Sequence, residues 1–148
     1  MRKNYKPFPV DATDPTIPAG QRMSYWPVLQ IRLGFDHTMS PRFDAIVDSG
    51  SPWPLFKADL GKYIGLKVER GPKYPLGGVI ANITRSTYFH KVKIYVESDW
   101  VIECMAGFCP DLQVTGILGR NGFFSNFITT FDHSGMTPAV EIERIHLT

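Results

Sequence analysis

A chain of 148 residues with a net charge of +2 has the size of one domain and enough apolar material for a real core. Charges of both signs are interspersed and no basic stripe is interleaved with aromatics, so nothing points to nucleic acid or to an acidic partner. No apolar run has the length of a membrane-spanning helix, and His37, His90, His133 and His146 lack metal-ligand spacing, so no membrane, metal or cofactor is expected.

Residues 1–22 are rich in Pro, Asp and Thr, carry no periodicity and read as an extended arm ahead of a domain at 23–148. The start is basic, but no apolar stretch follows it, so it is not expected to be a secretory signal and the protein is expected to be cytoplasmic. Val28, Leu29, Ile31 and Leu33 suggest a first strand, ended by Gly34 and the polar Asp36-His37-Thr38. Residues 43–47 form the next strand. Pro52 and Pro54 bar a helix after it, and Leu55-Phe56 suggest a short strand. Ala58, Leu60 and Ile64 have the spacing of about two helical turns, stopped at Gly65.

Tyr88 to Val96 alternates as a strand, and Trp100 to Met105 reads as another, turning at Gly107-Phe108-Cys109-Pro110. Cys104 and Cys109 have neither redox nor zinc spacing and read as buried or half-buried thiols. Asp111 to Leu118 leads into Gly119, and a helix is expected from Asn121 to about Phe127. Ile128 to Phe131 and Val140 to Leu147 are the last strands, with Ser134-Gly135 as the turn between them. Many short strands and only one or two short helices predict a mostly β, closed or orthogonally packed sheet.

Two segments carry the chemistry. The β-branched run at 43–47 delivers Asp48-Ser49-Gly50. Strand-then-turn geometry fixes a carboxylate on a rigid edge, Ser49 offers a short hydroxyl, and Gly50 allows backbone angles closed to other residues. Near the other end stands Thr115-Gly116-Ile117-Leu118-Gly119-Arg120-Asn121-Gly122-Phe123-Phe124, closing on Thr130-Phe131-Asp132.

Together these segments resemble the two halves of the retropepsin-like aspartic peptidase core, over roughly Trp26 to Leu147. The first half is hydrophobic-Asp-Ser/Thr-Gly, and the second is a hydrophobic pair and Gly leading into a short helix. Ile117 to Asn121 is close to the retroviral form. Gly119 to Asp132, with its paired Phe and later Phe-Asp, looks more like the single-domain cellular members, mostly prokaryotic. The resemblance implies an acid-protease β-barrel, catalysis by Asp48 with Ser49 and Gly50 around it, and a structural role for Gly119 and Arg120.

Aspartic peptidases need two carboxylates about 3 Å apart that share a proton, one acting as base toward water and the other as acid. This chain has one Asp-Ser/Thr-Gly; Asp132-His133-Ser134-Gly135 reads as a hairpin turn. The second aspartate must come from a second copy across a two-fold axis. The resemblance implies the same homodimer, with Ser49 bracing the paired loops. Residues 1–10 and Val140 to Leu147 are the candidate interface strands.

Residues 71–82 lie where the family places its flap. Gly77-Gly78 would form the tip, Tyr74, Leu76, Val79 and Ile80 would cover an extended peptide substrate, and Trp53 would line the cleft wall. One departure concerns Arg120. In retroviral relatives this Arg pairs with an Asp after the active-site segment, where this chain has Pro52. Its alternatives are Asp44, Asp59, a residue of the other subunit or solvent. Two rival functions share these residues: a catalytically silent dimerisation or peptide-binding module on the same fold, and a monomeric ligand-binding barrel with Asp48 in a plain turn.

Overall fold

The computed structural model describes residues 1–77, 84–97 and 99–146. The chain is mostly β, as its many short alternating runs predict. Its strands, in order, are β1 (Arg2–Asn4), β2 (Lys6–Pro9), β3 (Met23–Trp26), β4 (Val28–Phe35), β5 (Thr38–Met39), β6 (Phe43–Val47) and β7 (Leu55–Lys57). Helix α1 (Ala58–Tyr63) and a 3-10 turn at Val68–Arg70 follow. Then come β8 (Lys73–Gly77), β9 (Thr84–Tyr95), β10 (Val101–Cys109), β11 (Gly116–Leu118), β12 (Phe127–Asp132) and β13 (Ala139–Arg144).

Six strands close a barrel in the order β4-β6-β11-β7-β10-β9, because β4 pairs with both β6 and β9. Short β5 hangs from β4 and β8 from β9, each as the outer strand of a hairpin. Alternation fills the interior: Leu29, Ile31 and Leu33 of β4, Ala45 and Val47 of β6, and Val92 and Ile94 of β9 are all buried. Phe56 and Phe108 meet in the middle with ring centroids 6.0 Å apart. Full burial of side chains of this kind contributes about 1.5–3 kcal/mol each, which makes the barrel the rigid frame for whatever sits at its strand ends.

A second sheet, β1-β13-β12, lies against the barrel. Phe127 stacks on Phe123 and Trp100, and Val140 and Ile142 are buried with them. Within residues 1–22, β1 and β2 are paired within the chain, and residues 12–20 are mostly turns. β1 runs antiparallel to β13, and β2 to β3.

Three expectations are corrected. The turn at Gly107–Pro110 is instead the end of β10, which continues to Cys109 beside both β9 and β7. Gly107 is small because its neighbours are close: a Cβ there would stand 2.5 Å from Thr87 Cγ2 and 2.7 Å from Leu55 Cδ2. The helix at Asn121–Phe127 is one loose turn, Arg120–Phe124. Gly122 has φ of 122°, in the left-handed region, so helix cannot propagate, and Phe127 starts a strand instead. Thr38, read as part of a polar strand end, opens β5 after the two-residue turn Asp36-His37, with Asp36 at φ 48°.

Candidate active site

β6 and β11 run parallel, with Ile46 opposite Ile117 and Val47 opposite Leu118. The two motifs recognised in the sequence therefore leave the barrel side by side. The ladder's last bond is Asp48 N–H to Leu118 O, 3.1 Å. It anchors the backbone of Asp48 to the second motif and leaves its half-buried side chain at the rim.

Asp48 is then held by its own loop. Oδ1 accepts the Gly50 N–H at 2.8 Å, and the Asp48 carbonyl accepts the Ser51 N–H at 3.2 Å. This Asx-type turn uses one carboxylate oxygen and orients the other. Ser49 and Gly50 are exposed at the turn's crest. Ser51 is buried, and its hydroxyl donates to Trp53 O at 2.7 Å.

The Gly119-Arg120-Asn121 segment clamps this loop from the far side. Arg120 N–H donates to Ser51 O and Asn121 N–H to Pro52 O, both at 2.9 Å. Contact is closest at Gly119, where a Cβ would lie 2.3 Å from Trp53 O and 2.8 Å from Ser51 O. The Arg120 side chain takes none of the carboxylate partners considered for it. Its Nη1 donates to Ser49 O at 2.9 Å and to Gly50 O at 3.3 Å. Asp44 pairs with Lys6 instead. The guanidinium is thus aimed at backbone carbonyls of the Asp48 turn.

The remaining sequence candidates are placed as follows. Trp53 is half-buried and packs edge-on against Phe89 of β9, with centroids 5.5 Å apart, so it ties the Asp48 loop to the base of the β8–β9 hairpin. Tyr74 lies in β8 and is 62% exposed. Leu76 and Gly77 end that strand, registered with Arg85 and Thr84. Gly78, Val79, Ile80 and the rest of the expected tip lie outside the described residues.

Sequence reasoning missed an apolar groove of about 410 Å³ beside the β6–β11 pair, lined by Phe8, Pro9, Trp26, Ile46, Val114 and Thr115. By strand alternation Ile46 faces the same side as Asp48. The one signal for it in the chain is Trp26, 44% exposed at the end of a polar, proline-rich arm. Among the described residues no cluster of three or more His, Cys, Asp or Glu could hold a metal, and no helix is long and apolar enough to cross a membrane.

No family model matches the chain. No curated protein matches it either. Among solved structures it is similar to the EIAV protease complexed with the inhibitor HBY-793, at 17% identity and a TM-score of 0.45, over 71% of this chain and 88% of that one.

Proposed function

We propose that the chain is an aspartic endopeptidase that works as a homodimer, with Asp48 of each subunit forming half of a shared dyad. The observation that carries the reading is the position of Asp48. It stands at the joined ends of two parallel strands, on a turn clamped by Gly119, Arg120 and Asn121. Nothing in the packing of a plain turn requires a guanidinium and two backbone N–H donors to fix the loop behind a rim carboxylate.

In the reaction, the ionised carboxylate of one subunit takes a proton from water as the water oxygen bonds to the scissile carbonyl carbon. The protonated carboxyl of the other gives its proton to the carbonyl oxygen. The tetrahedral gem-diol collapses as the carboxyl that took the water proton passes it to the amide nitrogen, the C–N bond breaks to release the amine, and the other carboxylate takes the proton of one gem-diol hydroxyl as the product carboxyl forms, so the dyad again holds one shared proton. One carboxyl must be charged and the other neutral, so the rate–pH profile is bell-shaped. Ser49 braces the paired turns, and Gly50 keeps the crest low.

The substrate is an extended peptide. Among the described residues β8 is the outer strand of its sheet, and an outer strand can add a peptide strand by backbone hydrogen bonding. Tyr74, Leu76, Gly77, Gly78 and Val79 are the proposed covering residues, and the groove of Phe8, Trp26 and Ile46 takes an apolar side chain.

The test is peptide-library cleavage by the wild-type chain and by Asp48→Asn across acid to neutral pH. The substitution should lower turnover by about 10²–10⁴-fold with assembly unchanged. A loss under about tenfold removes Asp48 from the chemistry. A wild-type chain that binds peptides without cutting them is the silent module instead.

A further inference from the structure

We propose that the apolar groove beside Ile46 continues into a second, cationic groove, and that the second takes the carboxylate of an acidic side chain in the peptide substrate; the inference rests on the reading of the chain as a peptidase acting at Asp48, and it adds the substrate's charge.

The two grooves are the ends of one corridor. Along β6, Asp44 and Ile46 alternate onto the same side as Asp48. Across the β4–β6 ladder, Gln30 stands opposite Asp44 and Val28 opposite Ile46. The arm strand β2 repeats the pattern, with Lys6 and Phe8 on one side of it. Lys6 pairs with Asp44, and Phe8 shares the apolar groove with Ile46. Floor and roof are therefore in step, apolar on apolar and charge on charge, one strand period of about 7 Å apart. Val28 and Asp44 line both grooves, so the two meet beside the Lys6–Asp44 pair.

The second groove has a volume of about 520 Å³, and Lys3, Lys6, Gln30, Arg42, Asp44 and Glu97 supply its polar groups. Its charges select the ligand. Asp44 would repel an anion, but Lys6 holds it. Lys3 Nζ comes only within 4.0 Å of Glu97 Oε1, an open pair between two exposed side chains. Arg42 is exposed, and its guanidinium has no hydrogen bond or ion pair among the described residues. Three cationic side chains thus face two carboxylates, and one further carboxylate completes the set. The planar fork of Arg42 suits that partner, and the Gln30 amide adds a neutral donor. A cationic ligand would find only Glu97 to meet it and the unpaired Arg42 against it.

The corridor leads to the chemistry. Asp44 stands four residues before Asp48, about 13 Å along the strand. An extended peptide that crosses the rim at Asp48 and follows β6 turns every second side chain into the corridor. With an apolar side chain over Ile46, the side chain two positions on passes the Lys6–Asp44 pair. The one four positions on reaches Arg42 and Lys3. All of these groups belong to one chain, so each copy carries a whole corridor however the copies assemble.

The probes are short peptides with a single Leu and with Glu, Gln or Lys placed two, three or four positions from it, on either side. Fluorescence anisotropy with the full-length Asp48→Asn chain measures affinity without turnover. Glu four positions from Leu on one side should lower Kd about three- to tenfold relative to Gln, and Lys should bind more weakly than either. High salt should shrink the difference. Arg42→Glu in the same chain should invert the order at that spacing; should that variant misfold, the peptide series on the chain with Arg42 intact decides. Equal affinity for Glu and Gln at every spacing, or a Glu preference that Arg42→Glu leaves in place, overturns the corridor. The wild-type chain separates this failure from that of the peptidase reading. Cleavage with kcat/KM indifferent to Glu, Gln and Lys removes the corridor and keeps the peptidase. An Arg42-dependent preference for Glu in binding, with no peptide cut, keeps the corridor and removes the peptidase. Neither binding nor cleavage of any peptide overturns both.

Discussion

Arg120 Nη1 lies 2.9 Å from the carbonyl oxygen of Ser49, a residue far away in sequence and one step past the carboxylate at the barrel rim. The same nitrogen reaches Gly50 O at 3.3 Å. A cation held by two successive carbonyls fixes the orientation of the peptide planes between them. Those planes decide where Asp48 points, because Gly50 N–H is the donor on Asp48 Oδ1. The guanidinium thus positions the carboxylate through the backbone, without touching it.

Arg120→Ala should therefore act on turnover more than on folding. The side chain is exposed, so its loss opens no cavity. A turn free to shift its carboxylate by an ångström costs about ten- to a hundredfold in kcat/KM. Arg120→Lys keeps the charge, and because a single nitrogen makes both contacts, its ammonium should recover part of the turnover that the alanine loses. Peptide turnover alongside hydrogen exchange at the Gly50 and Ser51 amides checks this: exchange should quicken in both variants while the melting temperature holds. Unchanged exchange would break the link between Arg120 and the turn.

Gly119→Ala should act on folding first. The added methyl would sit 2.3 Å from the Trp53 carbonyl oxygen and 2.8 Å from that of Ser51. Both are backbone atoms, which cannot swing aside as a side-chain end can. The 51–53 loop or the start of the 120–124 turn must move, at the about 1–3 kcal/mol typical of an overpacked site. Denaturant unfolding measures that directly. A stability change under about 0.5 kcal/mol would mean the clamp is looser than its geometry.

The two motifs at the barrel rim were legible because each is local. A β-branched run ending in Asp-Ser-Gly and an apolar pair ending in Gly-Arg-Asn both announce a strand end, and they are neighbours because β6 and β11 pair. The strands at 28–33, 43–47 and 88–96 were legible for the same reason, alternation across a wall with one wet face. What escaped was set by distant contacts. Phe123 and Phe127 have helical spacing, yet they stack across a turn that Gly122 breaks, with centroids 5.0 Å apart. Gly107 looks like a turn residue and is a close-approach residue in mid-sheet. The pairing of β1 with β13 joins the two ends of the chain, which leaves no local mark. The carbonyl partners of Arg120 were hidden because a search for a salt-bridge partner looks for acids, and backbone oxygens carry no sequence signature.

Cys104 offers a check on the packing behind the site. Burial pushes its thiol up to about 11, and the charge of Glu103 adds to the shift. The sulfur packs closely at Gly122, where a Cβ would lie 2.9 Å from Sγ. At pH 8 its thiolate fraction, and with it alkylation by iodoacetamide, should be on the order of a hundredfold below an unperturbed cysteine. Labelling of the native protein followed by peptide mapping measures this. Rapid modification at Cys104 would show that the 120–124 turn does not seal it.

Asp132 should set the acid limit of the terminal sheet. Its carboxylate accepts the Ser134 hydroxyl at 2.6 Å and the Ser134 N–H at 2.9 Å, and Arg2 Nη2 lies 2.6 Å away. These contacts, the Ser134 hydroxyl foremost, hold its pKa well below the usual carboxylate range. A folded pKa below the unfolded one means stability that is present above the unfolded pKa and is lost as pH falls through it toward the folded pKa. The loss should therefore set in below about pH 5 and continue to the most acid conditions the protein survives. Asp132→Asn keeps an oxygen for Ser134 but loses the ion pair with Arg2, which ties β1 across β13 to β12. Melting curves from pH 7 to pH 2 should show the Asn variant less stable near neutrality, with a shallower acid slope, so that the two proteins converge as the pH drops. Salt should narrow the gap at neutral pH, because Arg2 is half exposed. Parallel curves over the whole range would mean that the carboxylate contributes nothing to holding the N-terminal strand.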